Sequence, residues 1–304
     1  TASANAAGYG GSQIYLAEGE VLSLKDLTLG IAVASGNDAA VCVGEYLAGS
    51  HEAFVERMNQ RAQELGCKNT HYDNHYTTAW DLCQLAREAI RHPMLLEFTS
   101  TKQYRIRENT DKPFQYNNTN KLLWQFDGAK GLKTGWTLQA GYCLVASALK
   151  DGRRFISVVL GSDTKNIGGE TKIMSFVDSA TLLDWGYNSF TMQTVFTKDD
   201  LIQELPVSLS KQASAVLVHP AEDVQVLLPN DVTPDMLERK VTVYGGTALA
   251  PIEAEQELGE MTLSYDGYDY ATFKLLAADS VSVNRFLQGK YYISWFFSKT
   301  LVKI

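Results

Sequence analysis

From Ser23 onward the apolar residues recur at helical spacing. Ser23 with Asp26 three residues on, ahead of Leu27 and Ile31, reads as a capped helix start. The turn-forming Ser35-Gly36-Asn37 should stop that helix near Ala34. The pattern restarts at Asp38 through Ala39, Val43, Tyr46 and Leu47, ending at Gly49. A third helix follows Ser50 through Phe54, Val55, Met58, Ala62 and Leu65, with Gly66 as its stop. Two packed helices would thus hold a Ser-x-Asn as a rigid, partly exposed polar elbow. The first two are apolar on more than one side, which predicts further helices packed against them. Later, Thr78 and Asp81 cap a helix through Leu82, Leu85, Ala86, Ala89 and Ile90 that Pro93 should stop. Residues 114–124 are polar and Asn-rich, and predict irregular structure.

The period then falls to two. Two apolar runs, 142–149 and 153–161, flank Asp151-Gly152, a strong hairpin signal. Gly131-Leu132-Lys133-Thr134-Gly135-Trp136-Thr137 leads directly into this hairpin. Residues 168–186 read as a long amphipathic helix through Ile173, Phe176, Val177, Ala180 and Leu183. Helices, then an antiparallel sheet, then a closing helix predict an α/β sandwich with helices on both faces, over residues 1–190. Residues 191–282 form short β-type runs separated by Pro229-Asn230, Gly245-Gly246 and Asp266-Gly267, as in a small all-β domain. The last stretch, 283–304, has Arg285, Lys290, Lys299 and Lys303 beside Phe286, Tyr291, Trp295 and Phe297, and no acid. That pattern suits a helix lying in a membrane interface; a terminal helix packed on its own domain is the alternative.

Composition narrows the function. The 304 residues are 45% hydrophobic and 20% charged, as in an ordinary folded protein. A net charge of -8 offers no basic field for nucleic acid. No run of about 18 apolar residues exists, so no segment reads as membrane-spanning. Cys42, Cys67, Cys83 and Cys143 have no metal-like spacing and read as small core residues, with one disulfide as the minor option. His71 and His75 bracket Asp73, but turn-formers flank them, so a solvated loop is the better reading than a metal site.

Two short motifs carry candidate chemistry. Lys133 supplies a fixed positive charge, Thr134 a hydroxyl donor and Gly135 a surface without a side chain. A ligand ending in a carboxylate needs the first two, and an extended peptide along a sheet edge needs the third. Ser-x-Asn occurs three times, at Ser3, Ser35 and Ser282, and only Ser35-Gly36-Asn37 joins two helices ahead of the Lys-Thr-Gly.

These motifs sit in longer stretches that resemble a known family. The run Gly11-Ser12-Gln13-Ile14-Tyr15-Leu16, then Asp26-Leu27, then 34–40 around Ser35 is similar to the penicillin-binding D-alanyl-D-alanine carboxypeptidases. So are Tyr76-Thr77-Thr78-Ala79 with Asp81-Leu82, and 128–141 around the Lys-Thr-Gly. The likeness covers roughly residues 1–190; Ala250-Pro251-Ile252 and Gln256-Glu257-Leu258-Gly259 resemble the C-terminal domain of the same enzymes.

The resemblance implies an extracytoplasmic serine-type carboxypeptidase that removes the terminal D-alanine of peptidoglycan stem peptides through an acyl-enzyme. β-Lactams would be covalent inhibitors, no cofactor or metal is needed, and the C-terminal segment would attach to the membrane. Ser35 would relay a proton to the leaving amine and Asn37 would hold the substrate amide. Lys133 and Thr134 would bind the terminal carboxylate, Gly135 would admit the peptide, and the Trp136 N–H would form half of an oxyanion hole. The family also uses a Ser-x-x-Lys before the Ser-x-Asn, and none precedes Ser35. Those at Ser162 and Ser208 come after the Lys-Thr-Gly, out of order. The expectation is that the gene continues upstream of Thr1 through that motif. A muropeptide- or partner-binding protein without turnover is the alternative, and a β-lactamase a lesser one.

Overall fold

The structure, a computed structural model, describes residues 1–108 and 110–301, with side chains described as far as Ser294. It divides into two units, Thr1–Asn188 and Ser189–Ile304.

The first unit begins with six helices: α1 (Ala4–Ala7), α2 (Leu24–Ala34), α3 (Asn37–Ala48), α4 (His51–Glu64), α5 (Ala79–Ala89) and α6 (Pro93–Ser100). Their starts are chemically explicit. Oγ of Ser23, Ser50 and Thr78 accept the N–H of Asp26, Ala53 and Asp81, satisfying donors that the first helical turn leaves unpaired. Pro93 opens α6 and does not merely end α5, because proline at the first helical position gives up an N–H that has no partner there anyway.

The chain then forms β1 (Gln103–Ile106), β2 (Phe114–Asn117) and α7 (Leu122–Gln125). The Asn-rich stretch expected to be irregular therefore holds a strand and a helical turn. Phe114 and Tyr116 point to the same side of β2, where Tyr116 is buried, and β2 pairs antiparallel with β1. Short alternation hidden among asparagines is a weak signal, and pairing with β1 decides it.

The central sheet has the order β3-β4-β5, from β3 (Ala129–Thr137), β4 (Gly141–Lys150) and β5 (Arg153–Ser162). Asp151 and Gly152, both at positive φ, close the expected turn. The helix expected over 168–186 is shorter. Residues 164–173 form a hairpin of β6 (Thr164–Ile167) and β7 (Glu170–Ile173), and only then does α8 (Met174–Ser189) begin. Gly168-Gly169 forms the turn of that hairpin, a role glycine fills far better than a helix interior.

Helices cover both faces of the sheet. Leu144, Ala146 and Ala148 of β4 pack with Leu183 of α8 and Leu122 of α7, while α5 lies against β4 and β5. α2 packs on α3, α6 and the β1–β2 hairpin, burying Leu27, Leu29 and Val33. The four cysteines are free thiols, Cys42 and Cys67 buried.

The second unit contains β8 (Phe190–Phe196), β9 (Gln203–Ser208), β10 (Ala215–Pro220), β11 (Val224–Pro229), β12 (Glu238–Val243), β13 (Ala248–Leu249), β14 (Glu257–Tyr265) and β15 (Tyr268–Ala277). Six of these strands run in the order β12-β14-β15-β10-β9-β13, and β8 pairs with β11. Val218, Leu228, Leu263 and Leu275 lie at the centre of its core. A helix, α9 (Arg285–Leu301), ends it. Phe286, Tyr292 and Ile293 on α9 are exposed. Of the residues expected to form an amphipathic tail, Lys303 lies outside the described residues, as do the side chains of Trp295, Phe296, Phe297, Lys299 and Leu301.

Candidate active site

The site forms where the α2–α3 elbow meets β3. Ser35 caps α2 in the left-handed region, at φ 59° and ψ 32°. That conformation is uncommon for a residue with a Cβ, and it turns the chain abruptly into α3. The elbow is fixed from behind by Asp38, which is fully buried. Its carboxylate accepts the N–H groups of Ile14 (3.1 Å), Leu16 (3.0 Å) and Ala39 (2.8 Å). Arg107 holds the same 14–16 segment by donating to the carbonyls of Ile14 and Tyr15. Buried charge, three donors and a guanidinium clamp make the elbow rigid.

β3 is fixed by its own bulge, between Ala129 and Leu132. Gly131 has φ +85°, and a Cβ there would stand 2.1 Å from the Thr99 carbonyl oxygen, so no side chain fits. Thr99 in turn donates its hydroxyl to the Lys130 carbonyl at 3.0 Å. Beyond the bulge the strand runs straight, with Lys133, Thr134, Gly135 and Trp136 opposite Val145, Leu144, Cys143 and Tyr142. Among the described residues no strand pairs with the outer edge of β3.

The two elements meet at Lys133. Its Nζ donates to Ser35 Oγ at 2.7 Å and to the Thr134 carbonyl at 2.6 Å. Thr134 Oγ1 lies 2.7 Å from Thr119 Oγ1. The Thr119 N–H donates to Val33 O, two residues before Ser35, so Thr119 ties β3 back to α2. Ser35, Lys133 and Thr134 are thus brought together. Asn37 makes no hydrogen bond to these three: its Nδ2 donates to Gly10 O at 2.9 Å, and its N–H to Ser12 O at 2.7 Å. Gly135 is exposed and open over Cys143, and the exposed Trp136 ring tilts against Tyr142.

Thr119 was not among the residues singled out from the sequence. Its signal is local: Asn118 and Asn120 on either side are buried, with Asn118 Nδ2 donating to the carbonyls of Thr99 and Thr101. A polar run that goes inward is holding something in place.

The electrostatics of Lys133 has two sides. The residue keeps solvent contact, yet protein crowds it densely enough that desolvation pulls its ammonium down to about 8. Part of the crowding is apolar. A cavity of about 270 Å³ borders Lys133 and is lined by Ile31, Ala32, Leu82, Leu85 and Val145. The remaining face of α2 looks into this space.

An edge strand beside a lysine, two hydroxyls and a rigid elbow can hold an extended peptide by its main chain and a terminal carboxylate by its charge. Comparisons with known proteins identify the family. A family model for D-alanyl-D-alanine carboxypeptidase matches residues 1–164, and one for the C-terminal domain of penicillin-binding protein 5 matches residues 190–283. The chain is 34% identical over 293 residues to the D-alanyl-D-alanine carboxypeptidase DacF of Bacillus subtilis, covering 94% of this chain and 73% of that protein. To DacD of Escherichia coli it is 32% identical over 282 residues, covering 90% and 69%. A solved structure of penicillin binding protein 5 from Haemophilus influenzae is similar with a TM-score of 0.71 at 29% identity, over 93% of this chain and 82% of that one. Matched along nearly its whole length in sequence and in fold, the chain belongs to the D-alanyl-D-alanine carboxypeptidase family.

Proposed function

We propose that Ser35, Lys133 and Thr134 are the carboxylate-binding and proton-transfer half of a serine-type D-Ala-D-Ala carboxypeptidase site. The observation that carries this reading is the 2.7 Å contact from Lys133 Nζ to Ser35 Oγ, beside the hydroxyl of Thr134. A stem peptide lies along the free edge of β3, with Gly135 leaving room for its backbone. Its terminal carboxylate accepts from Lys133 and Thr134. Because Ser35 Oγ already accepts from Lys133, its own proton is available to the leaving amine of D-alanine. The Trp136 N–H stabilises the carbonyl oxygen as charge develops there. Asn37 acts through its remaining carbonyl oxygen, since its amide nitrogen is committed to Gly10. Penicillin carries the same carboxylate next to a reactive amide, so it occupies the same groove.

Nucleophilic attack requires a serine with its base, and no Ser-x-x-Lys precedes Ser35 in these 304 residues. A muropeptide-binding protein without turnover would make the same carboxylate contacts and is the second reading. One experiment separates the two. An N-acylated peptide ending in D-Ala-D-Ala and its C-terminal amide are titrated into the protein, and D-alanine release is followed. Tighter binding of the free acid together with D-alanine release supports the carboxypeptidase. The same preference without release supports the binding protein, and equal affinity for acid and amide removes Lys133 and Thr134 from the site.

Peptidoglycan lies outside the cytoplasmic membrane, and α9 is the segment we assign to attachment there. From Arg285 to Ile304 the chain has four basic residues and no acid, Lys290 stands 4.8 Å over the Phe286 ring, and Phe286, Tyr292 and Ile293 are exposed. No helix among the described residues is long and apolar enough to cross a membrane. Flotation with anionic vesicles that persists after deletion of residues 283–304 would rule this attachment out.

A further inference from the structure

Ser35 and Lys133 meet in a geometry that carboxylate binding alone does not require. Ser35 sits on an abrupt turn in the left-handed region, at φ 59° and ψ 32°, and its side chain is half-buried just ahead of α3. A serine raised on a sharp, strained turn is how unrelated hydrolases present a nucleophile. Lys133 Nζ lies 2.7 Å from Ser35 Oγ and 2.6 Å from the Thr134 carbonyl oxygen. A neutral amine keeps one N–H on Thr134 and turns its lone pair to the Ser35 hydroxyl, at the same separation.

The surroundings of Lys133 favour that neutral form. Among the described residues no carboxylate forms an ion pair with it. Burial pulls its ammonium from 10.5 to about 8, with no charged group of α2, α5, α6 or β4 contributing. A lysine so placed takes the proton of a neighbouring hydroxyl near neutral pH, as an adjacent base does for other serine nucleophiles. The substrate class follows from the leaving group. With Ser35 as the nucleophile, no second hydroxyl is left to protonate a departing amine, so a peptide bond is a poor target. A phenol departs as its anion and needs no such donor. The open edge of β3 offers main-chain N–H groups to the carbonyl oxygen.

We propose that Ser35 and Lys133 form a serine–lysine dyad that takes the acyl group of a small activated carboxylic ester onto Ser35 and passes it to water. The proposal goes beyond the carboxypeptidase reading, in which Ser35 relays a proton and forms no covalent bond. In the first step Ser35 Oγ bonds to the ester carbonyl carbon, and its proton moves to Lys133 Nζ. The bond from that carbon to the leaving oxygen breaks, and Lys133 gives the proton to the released phenolate through solvent. In the second step neutral Lys133 takes a proton from water as the water oxygen bonds to the acyl carbon. The bond to Ser35 Oγ then breaks, Lys133 returns the proton to Ser35, and the carboxylic acid departs.

The test incubates the whole chain with para-nitrophenyl acetate, follows nitrophenol release, and locates the acetyl group by peptide mass spectrometry. The acetyl group should sit on Ser35 as a hydroxylamine-labile ester, and release should rise with pH to a plateau above about 8. Ser35→Gly, which keeps the left-handed turn, should abolish labelling of that peptide. Lys133→Met and Lys133→Arg should both slow release about 100-fold or more, because neither side chain supplies a base at these pH values. The arginine variant retains the charge, so undiminished release there would overturn the dyad. So would an acetyl group held as a stable amide on Lys133, undiminished release in Ser35→Gly, or a rate that climbs with hydroxide without a plateau. D-Alanine release from a peptide ending in D-Ala-D-Ala, measured in parallel, keeps the two readings apart. Ester turnover through Ser35 without D-alanine release refutes the carboxypeptidase and keeps the dyad, whereas D-alanine release with Ser35 unlabelled does the reverse.

Discussion

The ammonium of Lys133 donates to the hydroxyl of Ser35 at 2.7 Å, although the two residues stand 98 positions apart in the chain. One sits on a sheet edge and the other at a helix stop. The contact exists because a bulge places β3 and a buried carboxylate places the elbow, so it reports on both supports at once.

Replacing Lys133 with alanine should therefore remove recognition of a free carboxylate. The affinity advantage of a D-Ala-D-Ala peptide over its C-terminal amide should drop about 10- to 100-fold, the scale of the roughly 1.5–3 kcal/mol of a hydrogen bond to a charged group. Isothermal titration with acid and amide forms checks it, and an unchanged ratio would count against the site.

The depressed lysine gives a pH signature. With Lys133 at about 8 against an ordinary 10.5, the preference for the free acid should decline as pH rises past about 8, where the ammonium is lost. Stability moves the opposite way. Between pH 8 and 10.5 the unfolded chain binds a proton that the folded chain has released, so stability rises with pH through that window; below pH 8 the penalty is constant. Lys133→Met should flatten both trends, which chemical denaturation and titration over pH 6.5–10.5 can follow.

Ser35 invites a comparison of two variants. Ser35→Gly and Ser35→Ala both delete the hydroxyl, but only glycine takes the left-handed backbone without cost. The glycine variant should be more stable than the alanine variant by about 1 kcal/mol, with both losing D-alanine release to a similar degree. Equal stability would mean the elbow relaxes to another conformation.

Thr119→Val keeps the volume and the backbone bond to Val33 while removing the hydroxyl beside Thr134. Affinity for the free acid should fall about fivefold, as for one neutral hydrogen bond of roughly 1 kcal/mol. The unfolding midpoint should move little. A loss confined to kcat would assign Thr119 to the chemical step instead of to carboxylate binding.

Much of the frame was legible in the residues. Capping serines and threonines announced α2, α4 and α5, and Asp151-Gly152 announced the β4–β5 hairpin, because caps and tight turns are local chemistry. What escaped depends on partners distant in sequence. β2 is a strand because β1 accepts it, and α6 starts at a proline that reads equally well as a stop. In the site, Lys133 and Ser35 could be named from their motifs, but nothing in the sequence joins Thr119 to Thr134. Nor could spacing foretell that Asn37 gives its amide nitrogen to Gly10. Local rules find elements; tertiary hydrogen bonds decide which side chains share a site.

The open edge of β3 has a cost beyond peptide binding. An unpaired strand offers its backbone groups to any other strand, including the same edge of a second copy. From Ala129 to Thr137 that edge carries Lys130 and Lys133 and no acid. Two copies laid edge to edge would crowd four ammonium groups along one seam with no carboxylate from either strand to neutralise them. The lysine poised for a substrate carboxylate thereby also discourages self-association, and a variant without charge at Lys130 and Lys133 would present a bare, adhesive strand to its neighbours in concentrated solution.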